Sequence, residues 1–275
     1  MKDRTFVSLA LSSLFVASAA IAAAQDSGPT PPPNVLVIQR EYLKPGKSGA
    51  IHAKSEANFI QASNDAKWPT HYIAMDSLSG PTRALYIFAY DSFEAYGKDQ
   101  EAQAANPTFA AAIDAASLSD GELLERYDSQ AYHYHPEMSV HAAVDVPHQR
   151  YWELTVYKIK PGHEKEWNDL VKMYVDGFNK IPDAHWATFE SQYGENNGGT
   201  WLVVNPMRSL NEVDKGMANG KAFMAAMGDA GMQKAGVLAA ACIESSQTNL
   251  FVVNSKESYV DASWATTAPE IYGQH

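Results

Sequence analysis

The chain has 275 residues, 45% of them hydrophobic and 19% charged. That balance excludes a disordered chain, and the ordinary Gly (17) and Pro (14) counts exclude collagen-like and low-complexity classes. With 21 basic against 32 acidic residues the net charge is −11. An acidic surface repels phosphate backbones, so nucleic acid is not an expected partner.

Residues 1–24 read as a signal peptide. Lys2 and Arg4 form a positive start, the run from Phe6 to Ile21 carries no charge, and Ala22-Ala23-Ala24 before Gln25 supplies the small residues of a cleavage site. The run is Ala/Ser-rich and shorter than the ~20 residues of a spanning helix. The processed chain is therefore expected to be exported, periplasmic or extracellular, without a membrane partner. Residues 25–33 (QDSGPTPPP) read as a Pro-rich leader. The single cysteine, Cys242, precludes an internal disulfide and sits in the apolar stretch VLAAACIE, as a small core residue would.

The rest of the chain repeats itself once. Lys44-Pro45-Gly46 matches Lys160-Pro161-Gly162, Thr70-His71-Tyr72 matches Ala184-His185-Trp186, and Asp91-Ser92-Phe93 matches Arg208-Ser209-Leu210. Thr108-Phe109-Ala110 matches Ala222-Phe223-Met224, with all four matches in order at spacings of 114–117. In chain order the first copy predicts a strand at 34–43, a Lys-Pro-Gly turn, a helix at 47–64, strands at 71–78 and 84–90, a helical region at 92–125 and a strand at 128–135. The second predicts a strand at 150–160, a helix at 163–180, strands at 185–193 and 200–205, a helical region at 208–243 and a strand at 247–254. The long helical regions are expected to break at Asn106-Pro107 and Asn219-Gly220, and Gly194 to Gly199 forms a hairpin turn. The resulting domains are a first unit at 34–135, a linker at 136–149, a second unit at 150–260 and a C-terminal tail at 261–275.

Each copy has the order β-α-β-β-α-β of a ferredoxin-like unit, so the fold class is α+β. With the Lys-Pro-Gly turn and the repeat, the chain resembles the dimeric α+β barrel superfamily in its tandem form, in which two such units pair their sheets into one barrel. Its long second helical region and apolar third strand are similar to NIPSNAP-like and antibiotic-biosynthesis-monooxygenase-like members. The resemblance implies a central cavity but no single chemistry. The superfamily includes heme-degrading and cofactor-free monooxygenases, isomerases, heme peroxidases and members without known activity.

Strand alternation then nominates the cavity residues. Assigning Trp152, Leu154 and Val156 to the helix side points Tyr151, Glu153, Thr155 and Tyr157 inward, with Val35, Val37, Gln39 and Glu41 at the matched positions of the first unit. His71 and His185 start the second strands, sharing faces with Ile73 and Met75 and with Ala187 and Phe189 respectively. The candidate catalytic group is His185 as base, Glu153 as its orienter and Tyr157; the candidate ligand-binding group is Tyr151, Thr155, His71, Glu41 and Gln39. The alternative for each histidine is a strand-start residue bonded to a loop carbonyl. His133 and His135 lie on one strand face, but no metal site is assigned, because zinc sites need at least three protein ligands. No G-x-S-x-G, H-E-x-x-H, P-loop or C-x-x-C motif occurs. The expected function is a small-molecule binding protein or cofactor-light, monooxygenase-like enzyme with an apolar or aromatic ligand. The alternatives are a heme-binding or heme-degrading protein, with heme as cofactor, and a non-catalytic binding or assembly module. A homo-oligomer is compatible with all three.

Overall fold

Each Lys-Pro-Gly turn ends a strand and redirects the chain into a helix, with Gly46 at φ 77° and Gly162 at φ 83° supplying the left-handed step. The computed structural model describes residues 28–194 and 199–273. The first half runs β1 (Val35–Leu43), α1 (Ala50–Ala66), β2 (Tyr72–Ser77), β3 (Arg83–Tyr90), α2 (Phe93–Ala105), α3 (Pro107–Gly121) and β4 (Leu124–Tyr134). The second runs β5 (Tyr151–Ile159), α4 (Glu164–Phe178), β6 (Ala187–Tyr193), β7 (Thr200–Met207), α5 (Asn211–Cys242) and β8 (Ile243–Val253). The expected signal peptide (1–24) and residues 195–198 of the expected hairpin turn lie outside the described residues.

Asn106 explains the break between α2 and α3: its side chain accepts from Phe109 N at 3.1 Å and Pro107 occupies the first helical position. The matching break is not at Asn219-Gly220. The helix α5 continues through those residues and kinks at Gly228 (φ 64°, ψ 174°), a conformation that favours glycine.

The eight strands form one closed antiparallel barrel in the order β1-β3-β2-β8-β5-β7-β6-β4. Within each half the order is fourth, first, third, second. The halves join where β2 meets β8 (Met75 opposite Val253) and where β4 meets β6 (His133 opposite Glu190). The barrel therefore closes within one chain. Its interior is filled by Leu36, Ile38, Met75, Leu85, Ile87, Tyr132, Trp152, Leu154, Phe189, Leu202, Val204 and Phe251. The helices cover the outside: α4 and the end of α5 bury Trp167, Leu170, Trp201, Ala235 and Cys242 against the sheet.

This layering corrects the phase expected for β1 and β5. Trp152, Leu154 and Val156 face the barrel interior, while Tyr157 packs its ring on Trp167 of α4 at 5.3 Å. Tyr151, Glu153 and Thr155 share that outer face by alternation. In β1, Val35 and Val37 pack outward with Phe93 and Tyr96 of α2, so Gln39 and Glu41 also face outward. For β2 and β6 the expected phase is the observed one: Ile73, Met75, Ala187 and Phe189 all belong to the interior.

Segments flanking the barrel strands pack onto the barrel. Thr30 bridges to Val144, and Val140 to Trp186. After β8 the chain runs back along β2, where Tyr72 and Tyr259 exchange backbone hydrogen bonds of 2.8 and 3.1 Å. The chain then forms α6 (Trp264–Thr267) and α7 (Pro269–Tyr272); Ala268 between them, with Ile271 and Tyr272, is buried with the barrel interior. No helix among the described residues is long and apolar enough to cross a membrane.

Candidate functional site

The two ends of the barrel differ in chemistry. One end is polar. Arg40, inward on β1, donates to Asp128 through Nε and to Gln130 Oε1 through Nη2 at 2.7 Å, and its Nη1 lies 3.4 Å from Tyr132 Oη. Arg83 donates to Asn249 and lies over the Phe251 ring at 5.1 Å. With Arg126 and Lys158 these groups line a cavity of about 420 Å³, in which cations outnumber the single carboxylate of Asp128.

The other end opens into a cavity of about 940 Å³. Its wall is mostly apolar: Leu36, Ile73, Ile87 and Val204 from the strands, Trp152 and Phe189 at its floor, and Val260 and Trp264 from the C-terminal segment. The few polar groups at its rim include His71, His185, Tyr134 and Asp91.

Of the candidate site residues, the structure brings His71 and His185 to this one mouth. His185 directs Nε2 at the carbonyl of Pro206 (2.6 Å) and Nδ1 towards that of Asp183 (3.4 Å). His71 is exposed, its ring 4.8 Å from that of Tyr259. Glu153, on the outer face of β5, does not orient His185. Tyr151, Thr155 and Tyr157 are outside the barrel as well; Thr155 pairs its hydroxyl with that of Thr248 at 2.8 Å. His135 meets Glu137 (2.7 Å) and Glu190 (3.2 Å), and its ring lies edge-on to His133.

Glu41 lies in a different place altogether. Beneath α1 its Oε2 is 3.1 Å from Nε2 of His52, and the same nitrogen has Glu56 Oε1 and Asp120 Oδ1 each at 3.8 Å. On the opposite side of the ring, Nδ1 is 3.4 Å from Oε2 of Glu257. His52, Asp120 and Glu257 are 1% exposed and Glu56 2%. Burial, with Glu41 and Asp120 alongside, pushes the Glu56 carboxyl up to about 9. Burial alone would lower His52, but Glu257 and Glu41 outweigh it and push the imidazole up to about 10. His52, Glu56, Asp120 and Glu257 carried no sequence motif. The available signal was negative: the second unit has Trp167 and Leu170 on the buried face of α4, where α1 buries His52, Ser55 and Glu56.

No protein-family model matches the sequence, and no curated protein does. Solved structures do. A proposed monooxygenase from Fusobacterium nucleatum superposes with a TM-score of 0.54 at 11% identity, covering 80% of this chain and 91% of that one. An anthrone oxidase-like protein gives 0.53 at 12% identity, over 84% and 93%. The chain has the dimeric α+β barrel fold. A NIPSNAP domain protein from Burkholderia xenovorans matches over 35% of this chain and 90% of its own, at 16% identity and a TM-score of 0.25. At these identities the likeness speaks for architecture alone.

Proposed function

We propose that the chain is a fusion of two ferredoxin-like units whose common barrel binds a small apolar or aromatic molecule in the Trp152–Phe189 mouth. The observation that carries this reading is the cavity of about 940 Å³ with an apolar wall and a sparse polar rim. That size falls within the ~300–1,000 Å³ of small-molecule sites, which pair apolar walls with a few orienting groups. His71 and His185 are the orienting groups in this reading, with aromatic and branched side chains supplying the affinity. Monooxygenase-like chemistry is the reaction class in keeping with the proteins sharing the fold. The heme alternative, in which His71 or His185 would be the axial ligand, has less support at His185, which commits Nε2 to a backbone carbonyl. Export through residues 1–24 belongs to the same proposal, and a mature N-terminus at or near Gln25 is its signature.

The test uses the mature chain. Its fluorescence with 1-anilinonaphthalene-8-sulfonate is expected to saturate at one site and to be competed by fused-ring aromatics. Ala89→Trp, at an exposed wall position of the mouth, is expected to weaken dye binding tenfold or more at unchanged fold. His185→Ala is expected to weaken it about tenfold; a loss of melting temperature at unchanged affinity would make His185 a rim residue. Dye binding indifferent to Ala89→Trp overturns the site, and a Soret shift on adding hemin would favour the heme reading.

A further inference from the structure

We infer that the buried cluster beneath α1 is a binding site for one divalent transition-metal ion, with His52, Glu41, Glu56 and Asp120 as its ligands. This site is separate from the barrel mouth and does not depend on the ligand proposed there.

The first argument is geometric. One ligand atom from each of these four residues lies within 4.8 Å of the other three. Donors around one ion at ~2.1 Å stand ~3.4 Å apart in a tetrahedral site and ~4.2 Å apart when trans, so the cluster closes on an ion by moving each donor atom inward by less than about 1 Å. The ligands come from β1, α1 and α3, elements held in place by the sheet and by the packing of α1 on α3. The second argument is the state of the ligand atoms. Asp120 Oδ1 and Glu56 Oε1 are buried without a hydrogen-bond partner among the described residues, and both lie 3.8 Å from His52 Nε2. A buried carboxylate oxygen left without a donor is costly, and an ion would satisfy both atoms at once.

The third argument is charge. Four carboxylates surround one imidazole, and among the described residues His52 is the one basic side chain within 4 Å of any of them. Asp120 stands in the last turn of α3 (Pro107–Gly121), where the helix dipole is itself negative. Apart from His52, no basic side chain among the described residues pairs with these carboxyl groups. The fourth argument is the outer shell. A metal-bound histidine characteristically presents its other ring nitrogen to a carboxylate, which fixes the tautomer. Glu257, delivered by the segment after β8, faces Nδ1 of His52 at 3.4 Å while Nε2 faces the three ligand carboxylates. A cavity of about 280 Å³ lined by Glu41, Glu56, Tyr72 and Tyr86 adjoins the cluster and gives a path of entry.

One imidazole nitrogen with three carboxylate oxygens is the donor set of Mn²⁺, Fe²⁺ or Zn²⁺, being harder than a thiolate site and softer than an all-oxygen calcium site. The second unit provides the internal contrast. At the corresponding helix–sheet interface it packs Trp167, Leu170, Trp201 and Ala235, an apolar solution available to the same fold.

The experiment uses the full mature chain stripped with EDTA and then titrated with Mn²⁺, free Mn²⁺ being followed by electron paramagnetic resonance. Co²⁺ is titrated in parallel, with its visible absorption as the readout. One equivalent is expected to bind with a micromolar or tighter Kd and to raise the melting temperature. Glu56→Gln and Asp120→Asn keep shape and remove charge, so both are expected to fold and each to weaken Mn²⁺ at least tenfold. Glu257→Gln is expected to weaken it about tenfold, the usual effect of losing an outer-shell carboxylate. The paired change His133→Ala/His135→Ala leaves the affinity unchanged. The inference is overturned if the stripped wild-type chain takes up neither ion, if folded Glu56→Gln/Asp120→Asn binds as well as wild type, or if binding is lost with His133 and His135 instead.

Discussion

Gly177→Ala sets two effects of opposite sign against each other. Gly177 lies in α4, where replacing glycine by alanine gains up to ~1 kcal/mol of helix propensity. A methyl group there would, however, clash with Cε2 of Phe223 on α5 and stand 2.7 Å from its Cδ2. Phe223 is 3% exposed, stacked on Phe178 at 4.5 Å and tilted against Tyr174 at 4.8 Å, so moving the ring disturbs both contacts. Forcing such a ring aside costs ~1–3 kcal/mol, which exceeds the propensity gain. The net expectation is a loss of up to ~2 kcal/mol, or a fall in melting temperature of up to ~8 °C. Gly97→Ala in α2 is the control, because nothing lies within 4 Å of its new methyl; it is expected to raise the melting temperature by ~2–4 °C. In a Phe223→Leu background, Gly177→Ala should become neutral or stabilising, and the double-mutant cycle measured by thermal denaturation reads the coupling directly. If Gly177→Ala stabilises the wild-type chain as Gly97→Ala does, the close approach of α4 and α5 at this point is wrong.

Two further outcomes follow from the burial pattern. His52 is pushed from its ordinary 6.5 up to about 10 and Glu56 from 4.5 up to about 9, so as pH rises from about 7 towards 9 the folded metal-free chain keeps protons that the unfolded chain gives up. Stability then falls as pH rises, by about 1.4 kcal/mol per unit for each proton; melting curves in EDTA at pH 6.5 and 8.5 check this, and a flat profile contradicts it. Tyr272 is buried against the barrel interior and its hydroxyl has no partner among the described residues. Tyr272→Ala is therefore expected to cost ~3–5 kcal/mol, while Tyr272→Phe should be neutral or slightly stabilising, as urea denaturation would show.

Much of the fold was legible because it was written twice. The turns at Lys44-Pro45-Gly46 and Lys160-Pro161-Gly162 fixed the registration of the halves, and the strand–helix order followed from periodicity. The facing of β1 and β5 was not legible, for a physical reason. In a barrel wrapped by helices both faces of a strand are buried, so Val35 and Val37 outside are as apolar as Leu36 and Ile38 inside. Alternation of polarity then carries no sign, and placing Trp152, Leu154 and Val156 under the helices inverted the list of cavity residues. The kink at Gly228 was missed because Asn219-Gly220 looks equally like a break, and only the backbone conformation separates them.

The buried cluster was hidden by the same rule that made the second unit readable. Trp167, Leu170 and Val175 announce the inner face of α4 because buried helix faces are apolar. The inner face of α1 carries His52, Ser55, Glu56 and Ser63, a composition that pattern reading assigns to solvent. Glu41, Asp120 and Glu257 are polar positions on three other segments, and chain spacing does not connect them. Only the fold does, by laying β1, α1, α3 and the segment after β8 around one imidazole. Comparing the copies with each other exposes such a place: where one unit buries tryptophan and leucine and its twin buries a histidine among carboxylates, the charged copy has given up an apolar packing that its own fold supports. A stability argument alone does not account for that choice, since well-packed apolar residues commonly match or outdo buried charges.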